Sequence, residues 1–229
     1  EEAGLVHTGV DGHARVEVGG LNIALLSYTW GLNGKPPPED HELFVVPFGR
    51  LDEDIDLTAI GADIETARSA GADTVVLMLH WGYEYEYYPD PHFLVLGRQL
   101  VAQGADLIVG TGPHVAQPPE LCHVNKPEVV PGIGTCSIRT PDGDPRSAAI
   151  LYSLGNFDTM QPTIPVQTGL VATVSVDPDV TGLGWEALVT VRIDTPRTVV
   201  PLEEIAVTSD EHAAELARLE EHLGTGWKR

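Results

Sequence analysis

Basic residues are scarce in this sequence of 229 residues, where 13 Lys and Arg stand against 34 Asp and Glu. The formal net charge is −21 at pH 7, and no basic stripe offsets it along the chain. A field of this sign repels the phosphates of nucleic acids and anionic membrane surfaces. We therefore expect no nucleic-acid partner, and we interpret the acidity mainly as a source of solubility.

Long apolar runs are also missing, and no segment of the sequence is hydrophobic enough to span a bilayer. The chain starts at Glu1 without an initiator Met. We therefore expect an upstream signal peptide, membrane anchor or further structural half. Membrane contact is then expected only through a removed N-terminal anchor.

Cysteine is nearly absent, and the two that occur are Cys122 and Cys136. They stand in a segment with several prolines and glycines, which we expect to be a loop. In an oxidising compartment the pair would close this loop as a disulfide, whereas in a reducing one both would be free thiols. Two cysteines alone leave both alternatives open.

The N-terminal part of the sequence predicts a β-hairpin. Alternating apolar residues cover 14–18 and 21–26, and the pair Gly19-Gly20 separates the two runs. The stretch 30–38 contains three successive prolines, so we expect a surface loop there.

Helical and strand periods then alternate along the chain. Apolar spacing predicts helices over 54–70 and 91–103, and continuous apolar runs predict buried strands over 74–79 and 106–109. Strand, crossover helix and strand form a parallel βαβ unit. Ligands of such sheets collect at the carboxyl ends of the strands.

The remaining pattern completes an α/β fold of one domain over residues 1–229. We predict a third buried strand over 148–153, an antiparallel pair over 170–176 and 185–193, and a terminal helix over 210–223. The fold class predicted is a layered sandwich of mixed sheets flanked by helices. Its core would occupy about 1–160, with a C-terminal hairpin and helix at about 165–225.

The first candidate site follows the strand that ends at residue 79. Residues 80–85 read His-Trp-Gly-Tyr-Glu-Tyr. A strand-end His80 can present a neutral imidazole to a metal ion, and Glu84 can orient it or exchange a proton. The alternative is a histidine bonded to backbone in a loop that packs on its own tyrosines.

The second candidate site follows the next strand, where residues 110–114 read Gly-Thr-Gly-Pro-His. The glycines and the proline predict a tight turn that directs His114 back across the strand ends. Such glycines also let a phosphate or a metal-bound oxygen approach the backbone. A plain tight turn is the alternative, although two histidines at neighbouring strand ends could converge on one ion.

Three further motifs carry weaker signals. Asn156, in the sequence Tyr-Ser-Leu-Gly-Asn-Phe over 152–157, would either donate to a substrate oxygen or simply occupy a turn. Ser153 lacks the glycine two residues before it that a serine hydrolase elbow requires. Asp11-Gly12-His13 has an Asp-x-His form but lies in a polar turn, so we interpret it as structural and His123 as a surface residue.

Together these motifs resemble the ordered signature of the CapA-type capsule-synthesis (poly-gamma-glutamate biosynthesis) family over roughly residues 1–160. The resemblance rests on residues 80–85, Pro89, 104–110, 113–115, 117–118 and 152–157. Members of this family resemble calcineurin-like metallophosphatases. The fold so implied is a layered α/β sandwich of the metallophosphatase type.

The resemblance also implies a site with one or two divalent metal ions (Mn, Zn or Fe) at the strand ends. His80 and His114 match the histidines that would be metal ligands. Glu84 and Asn156 would be the catalytic residues that line the site. A metal ion there would polarise an acyl or phosphoryl oxygen and lower the pKa of a bound water.

The sequence departs from the family pattern in two places. The family has His-Pro-His where this chain has Gly112-Pro113-His114. The family also carries a Gly-Asp strand end, an Asn-containing acidic motif and an Asn-His motif upstream, and this sequence shows none of them. We therefore expect a sheet without its N-terminal strands, whose exposed edge favours a homodimer or strand exchange.

Two functions follow from the resemblance. One is a metal-dependent hydrolase or transferase of capsule or poly-gamma-glutamate synthesis, located outside the cell or on its surface. The other is a non-catalytic accessory module with a degenerate metal site. The substrate would be a small molecule or an anionic polymer, and the net charge would repel the polymer unless metal ions or a basic patch offset it. The residues expected in that patch are Arg98, Lys126, Arg139 and Arg146.

Overall fold

A computed structural model describes residues 6–48, 55–127, 134–141, 143–177, 179–192 and 197–224 of the chain. These residues form ten strands: β1 Ala14–Val18, β2 Leu21–Thr29, β3 Thr74–His80, β4 Leu107–Thr111, β5 Glu120–Val124, β6 Thr135–Ile138, β7 Arg146–Leu151, β8 Thr168–Asp177, β9 Asp179–Arg192 and β10 Arg197–Pro201. They also form five helices: α1 Thr58–Ser69, α2 Pro91–Ala102, α3 Ile164–Gln167, α4 Leu202–Ala206 and α5 Asp210–Leu223. None of these helices is both long and apolar enough to cross a membrane.

Seven strands form a mixed sheet in the order β1-β2-β3-β4-β7-β5-β6. The strands β2, β3, β4 and β7 run parallel, and the hairpin partner β1 and the strand β5 pair antiparallel with their neighbours β2 and β7. The apolar sides of α1 and α2 share one hydrophobic core with the sheet. The predicted hairpin, the βαβ unit and the α/β class with helices flanking a large mixed sheet are confirmed.

A second, three-stranded sheet has the order β10-β9-β8 and packs beside β7. Together with α4 and α5 it buries a separate apolar cluster that includes Trp185, Leu202, Leu219 and Leu223. The predicted antiparallel pair and terminal helix are confirmed, although residue 193 lies outside the described part of the chain. The single-domain organisation stays a prediction, as does a homodimer formed through an outer strand.

The segment with the two cysteines is not the loop that we predicted. Cys122 lies on β5 and Cys136 lies directly opposite on β6, and the two form a buried disulfide with Cα atoms 4.4 Å apart. Both strands are short, and the alternation in β5 places the charged Glu120 on the buried side. The periodicity of the sequence therefore concealed these strands.

The basic residues predicted to form a patch are mostly neutralised. Three of the four have carboxylate partners, in the pairs Arg98–Glu120, Arg146–Asp106 and Lys126–Asp179. Asp106 also pairs with Arg68, and burial is the main influence on this carboxyl group, raising its pKa against the effect of the arginines. These ion pairs offset the positive charge of three patch residues, and the side chains of Arg98, Lys126 and Arg146 are 41%, 34% and 18% exposed.

The disulfide should contribute measurably to stability. We expect its reduction to lower the free energy of unfolding by about 3 kcal/mol, because the bond closes a loop of roughly 15 residues in the unfolded chain. For a chain of this size the Tm would fall by roughly 6–12 °C. Calorimetry with and without reductant measures this, and the double variant Cys122→Ala/Cys136→Ala is the control. Equal Tm values for the oxidised and reduced wild type would contradict the expectation.

Candidate functional site

Three neighbouring strands of the main sheet end at the predicted site. His80 is the last residue of β3 and pairs in register with Thr111 at the end of β4. His114 follows β4, and Asn156 follows β7. The structure brings His80, Glu84, His114 and Asn156 to this edge of the sheet, and we refer to these four residues as the strand-end cluster.

Two segments meet at the cluster, the site loop (residues 81–90) and the glycine turn (residues 110–114). The backbone N–H of Trp81 donates to the carbonyl of Thr111, and that of Tyr85 donates to the carbonyl of Pro113, both at 2.8 Å. Gly112 has a φ of 127°, and a Cβ atom there would overlap the carbonyl oxygen of Trp81. The predicted tight turn is confirmed, and position 112 requires glycine because the site loop lies directly against it.

The imidazole of His114 is held from two sides. Its Nδ1 lies 3.0 Å from Oδ1 of Asn156, and its Nε2 lies 3.5 Å from a carboxylate oxygen of Glu84. The ring of Tyr85 stacks on it with centroids 5.8 Å apart. The backbone of His114 has a φ of 64°, a left-handed conformation that costs about 1–3 kcal/mol outside glycine and that often occurs at functional sites.

The hydrogen bonds of Asn156 fix the tautomer of His114. The Nδ2 group of Asn156 donates to the carbonyl of Val166 at 2.8 Å, so its Oδ1 must face His114. An amide oxygen only accepts, and Nδ1 of His114 must therefore carry the proton. In the neutral ring, the lone pair of Nε2 then points toward the carboxylate of Glu84. A proton, a water molecule or a metal ion between these two acceptors would join them.

His80 is also held in a defined orientation. Its Nδ1 lies 3.2 Å from the hydroxyl of Thr111, which in turn donates to the carbonyl of Leu79. Because the hydroxyl proton of Thr111 is used in this second hydrogen bond, the Nδ1–H of His80 donates to the hydroxyl oxygen. Burial lowers the pKa of His80, and the nearby charge of His114 lowers it further. The ring is therefore neutral near pH 7, with the lone pair on Nε2.

The donor types fit a divalent metal ion, but the set is small. Imidazole and carboxylate groups bind Zn, Mn and Fe, and catalytic zinc sites have three protein ligands. Within the described residues, one group of three side chains of the types His, Cys, Asp or Glu has its ligand atoms within 4.8 Å of one another. It consists of Glu120, Cys122 and Cys136, and its two cysteines are joined in the disulfide. The strand-end cluster therefore supplies two imidazoles and one carboxylate that do not converge as closely.

The sequence interpretation missed two neighbours of the histidines. Thr111 bonds His80, and the parallel register of β3 and β4 could have revealed this contact. Tyr85 stacks on His114 only because its own φ is 69°. No residue type in the motif indicates that left-handed turn, so the sequence carried no signal for it.

The residues of the motifs set aside as structural contact partners outside the cluster. Asp11 bonds His41 and the backbone N–H of Glu42, and His13 lies 3.3 Å from Asp63. His123 lies on β5 and is half-buried, so the prediction of a surface histidine in a loop was wrong. The Ser153 hydroxyl accepts a hydrogen bond from the N–H of Gly155 and is buried.

The tautomer of His114 can be measured directly. We expect long-range ¹H–¹⁵N correlation spectra to show a protonated Nδ1 in the neutral ring, because Asn156 presents only its oxygen. Replacing Asn156 with Leu removes this acceptor and should shift the population toward the Nε2-protonated tautomer. A wild-type ring with its proton on Nε2 would contradict the assignment.

The pKa of His80 should respond to His114. We expect His114→Ala to raise the His80 pKa, because it removes a nearby positive charge that opposes protonation. The pKa should stay below the usual histidine value, since burial is the larger cause of the shift. A pH titration of the histidine ring signals by NMR measures this, with His123→Ala as the control that leaves the His80 pKa unchanged. An unchanged or lower His80 pKa in His114→Ala would show that the two rings do not interact.

Comparison with known sequences gives two kinds of match, the first to individual proteins and the second to a family. The capsule biosynthesis protein CapA of Bacillus anthracis is 46% identical over 90 residues, which are 39% of this chain and 16% of that protein. The PGA biosynthesis protein CapA of Bacillus subtilis (strain 168) is 37% identical over 86 residues, 38% of this chain and 17% of that protein. These matches span about a sixth of the length of either relative.

Among solved structures, a hypothetical protein from Thermus thermophilus aligns with 82% of this chain and 60% of its own, with 15% identity and a TM-score of 0.32.

The second kind of sequence match is to a whole family, described as bacterial capsule synthesis protein PGA_cap, and it covers residues 1–161. The matched region includes all four residues of the strand-end cluster and most of the main sheet. Since it covers well over half of the sequence, the chain belongs to the bacterial capsule synthesis protein family PGA_cap, the CapA-type family that its motifs resemble.

Proposed function

We propose that this chain serves bacterial capsule or poly-gamma-glutamate synthesis as a metal-dependent hydrolase or transferase-like protein at the cell surface. The observation that carries this proposal is that the imidazoles of His80 and His114 lie at one edge of the sheet, with a carboxylate oxygen of Glu84 3.5 Å from Nε2 of His114. The names of the CapA relatives support the biological role. The disulfide supports an oxidising compartment such as the cell exterior.

Each residue of the cluster has a distinct part in this proposal. His80 and His114 would hold a divalent ion, which lowers the pKa of a bound water and polarises a substrate oxygen. Glu84 has an exposed carboxylate beside His114 and would exchange a proton with the nucleophile or the leaving group. Asn156 donates one N–H of its amide to Val166 and presents its oxygen to His114, so it orients His114 and keeps a second N–H for a substrate oxygen.

The substrate in this proposal is a small molecule or an anionic polymer that approaches as its cation complex. Glu84 and Glu86 on the site loop add negative charge at the cluster, in a chain that already has a net charge of −21. A bare polyanion is therefore repelled. A divalent ion at the two imidazoles would offset the carboxylate of Glu84 and permit approach.

One observation favours a second function, a non-catalytic accessory module that binds polymer or metal. The family pattern has a histidine at position 112, but a Cβ atom there would overlap the carbonyl oxygen of Trp81. The backbone thus excludes every side chain at this position. The cluster is one imidazole short of that pattern, and a site with fewer ligands binds its ion more weakly.

Metal content and turnover together separate the two functions. We expect about one Mn or Zn ion per chain after metal loading, and at least tenfold weaker binding in His80→Ala and His114→Ala, because each variant removes a ligand. His123→Ala is the matched control, since this histidine lies on β5 and should leave binding unchanged. Mass spectrometry measures the metal, and phosphoesterase and peptidase assays on the loaded protein test for turnover.

The outcomes point in different directions. Metal lost from both cluster variants, together with hydrolysis that needs Glu84, would support the enzyme. Metal without turnover would favour the accessory module. A wild-type chain that binds no ion after loading would refute the metal-dependent function.

A further inference from the structure

The C-terminal helix α5 contacts the site loop, although it lies outside the region that the family match covers. The guanidinium carbon of Arg218 lies 4.4 Å from the ring centroid of Tyr87. One turn further along the helix, His222 lies against Tyr88 with ring centroids 4.8 Å apart. Two successive residues of the site loop are therefore held by two residues of one helix face.

Arg218 has a fixed orientation. Its Nε and Nη2 groups donate to the two carboxylate oxygens of Glu215 at 2.8 and 2.5 Å, and the side chain of Glu215 is only 3% exposed. A third nitrogen, Nη1, lies 3.3 Å from Nδ1 of His222. Burial and the neighbouring Arg218 lower the pKa of His222, so its Nδ1 accepts this hydrogen bond. A guanidinium bound in this forked geometry has little rotational freedom.

The site loop is fastened at two further points before it reaches α2. The buried Gln117 donates through its Nε2 group to the carbonyl of Glu86 at 2.8 Å. The N–H of Tyr85 donates to the carbonyl of Pro113. Glu84 and Tyr85, the two residues that face His114, lie just before the residues that Gln117 and Arg218 hold.

We propose that Arg218 is a positioning residue for the strand-end cluster. It attracts the Tyr87 ring by a cation–π interaction. This contact keeps the site loop in the conformation in which Glu84 and Tyr85 contact His114. This role of Arg218 rests on the proposed function only because it assigns α5 to the same site. The contacts of Arg218 with Tyr87 and Glu215 themselves need no metal ion or substrate.

The positioning role can be separated from a role in stability. Tyr87 and Tyr88 are 38% and 56% exposed, so neither ring is part of a core. The helix itself is anchored by Leu219 and Leu223, which are buried in the second apolar cluster. Changing Tyr87 should thus free the site loop while α5 stays in place.

The test compares Tyr87→Leu with Tyr87→Phe. Leucine keeps an apolar side chain but has no π-face for the guanidinium, whereas phenylalanine keeps the ring and removes only the hydroxyl. In Tyr87→Leu we expect amide hydrogen exchange of Tyr85 to be at least tenfold faster, and the NOE between the Tyr85 and His114 rings to be lost. Tyr87→Phe should restore both values to those of the wild type, with the Tm of both variants within a few degrees of the wild-type Tm.

A second variant tests the arginine itself. Arg218→Lys keeps a positive charge beside the buried Glu215 but loses the forked geometry, and we expect it to change exchange and NOE in the same direction as Tyr87→Leu. Arg197→Lys is the matched control, because Arg197 lies on β10 and pairs with Asp158, which is not part of the site loop. If Arg218→Lys does not fold, the two Tyr87 variants decide the question alone.

Unchanged exchange at Tyr85 and an intact Tyr85–His114 NOE in Tyr87→Leu would overturn the proposal. The exchange rate and the NOE are both measured on the metal-free chain, so they can be interpreted even if the chain binds no metal or shows no turnover. If the chain does bind metal, Tyr87→Leu should also weaken that binding, whereas loss of binding in the wild type would refute only the proposed function.

Discussion

The candidate site depends on one hydrogen bond that crosses the end of the sheet. The indole N–H of Trp81 donates to the carbonyl of Tyr152 at 3.0 Å, and the bond passes over Gly110, where a side chain would overlap both partners. It thereby joins the end of β3 to the end of β7 across β4. Trp81 is almost fully buried, so a lost bond would leave an unsatisfied donor in the core at a cost of about 1–3 kcal/mol. The bond helps to hold Trp81, which follows His80 in the chain and whose backbone N–H donates to Thr111 of the glycine turn.

The glycine turn has two consequences that come from the same close approach. With no side chain at Gly112, the site loop can lie against the turn and bring Tyr85 and Glu84 to His114. With the carbonyl of Trp81 in that space, no side chain can occupy position 112. The same close packing therefore orients His114 and excludes a histidine at position 112. With position 112 closed to a side chain, a metal ion at this edge would need further ligands besides the strand-end cluster.

The sequence predicts those parts of the fold whose apolar pattern is local. The helices α1, α2 and α5 follow from apolar spacing, and the strands β3 and β4 follow from continuous apolar runs. The strand-end rule also brings His80 and His114 together. The strands β5 and β6 were missed because the pairing of β5 with distant β7, the pairing of β6 with β5 and their disulfide, rather than their own periodicity, determine them. The left-handed Tyr85 and the contact from Arg218 depend on tertiary packing in the same way.

The distribution of charge connects the two functions considered for the cluster. Among the described residues, five arginines lie in pairs with carboxylates: Arg68, Arg98, Arg146, Arg197 and Arg218. The net charge of −21 already counts these arginines, and an imidazole lone pair beside Glu84 attracts a cation before an anion. An anionic polymer approaches such a surface favourably only where a bound cation reverses the local field. Catalysis and polymer binding would thus both begin with an ion held by the same two histidines.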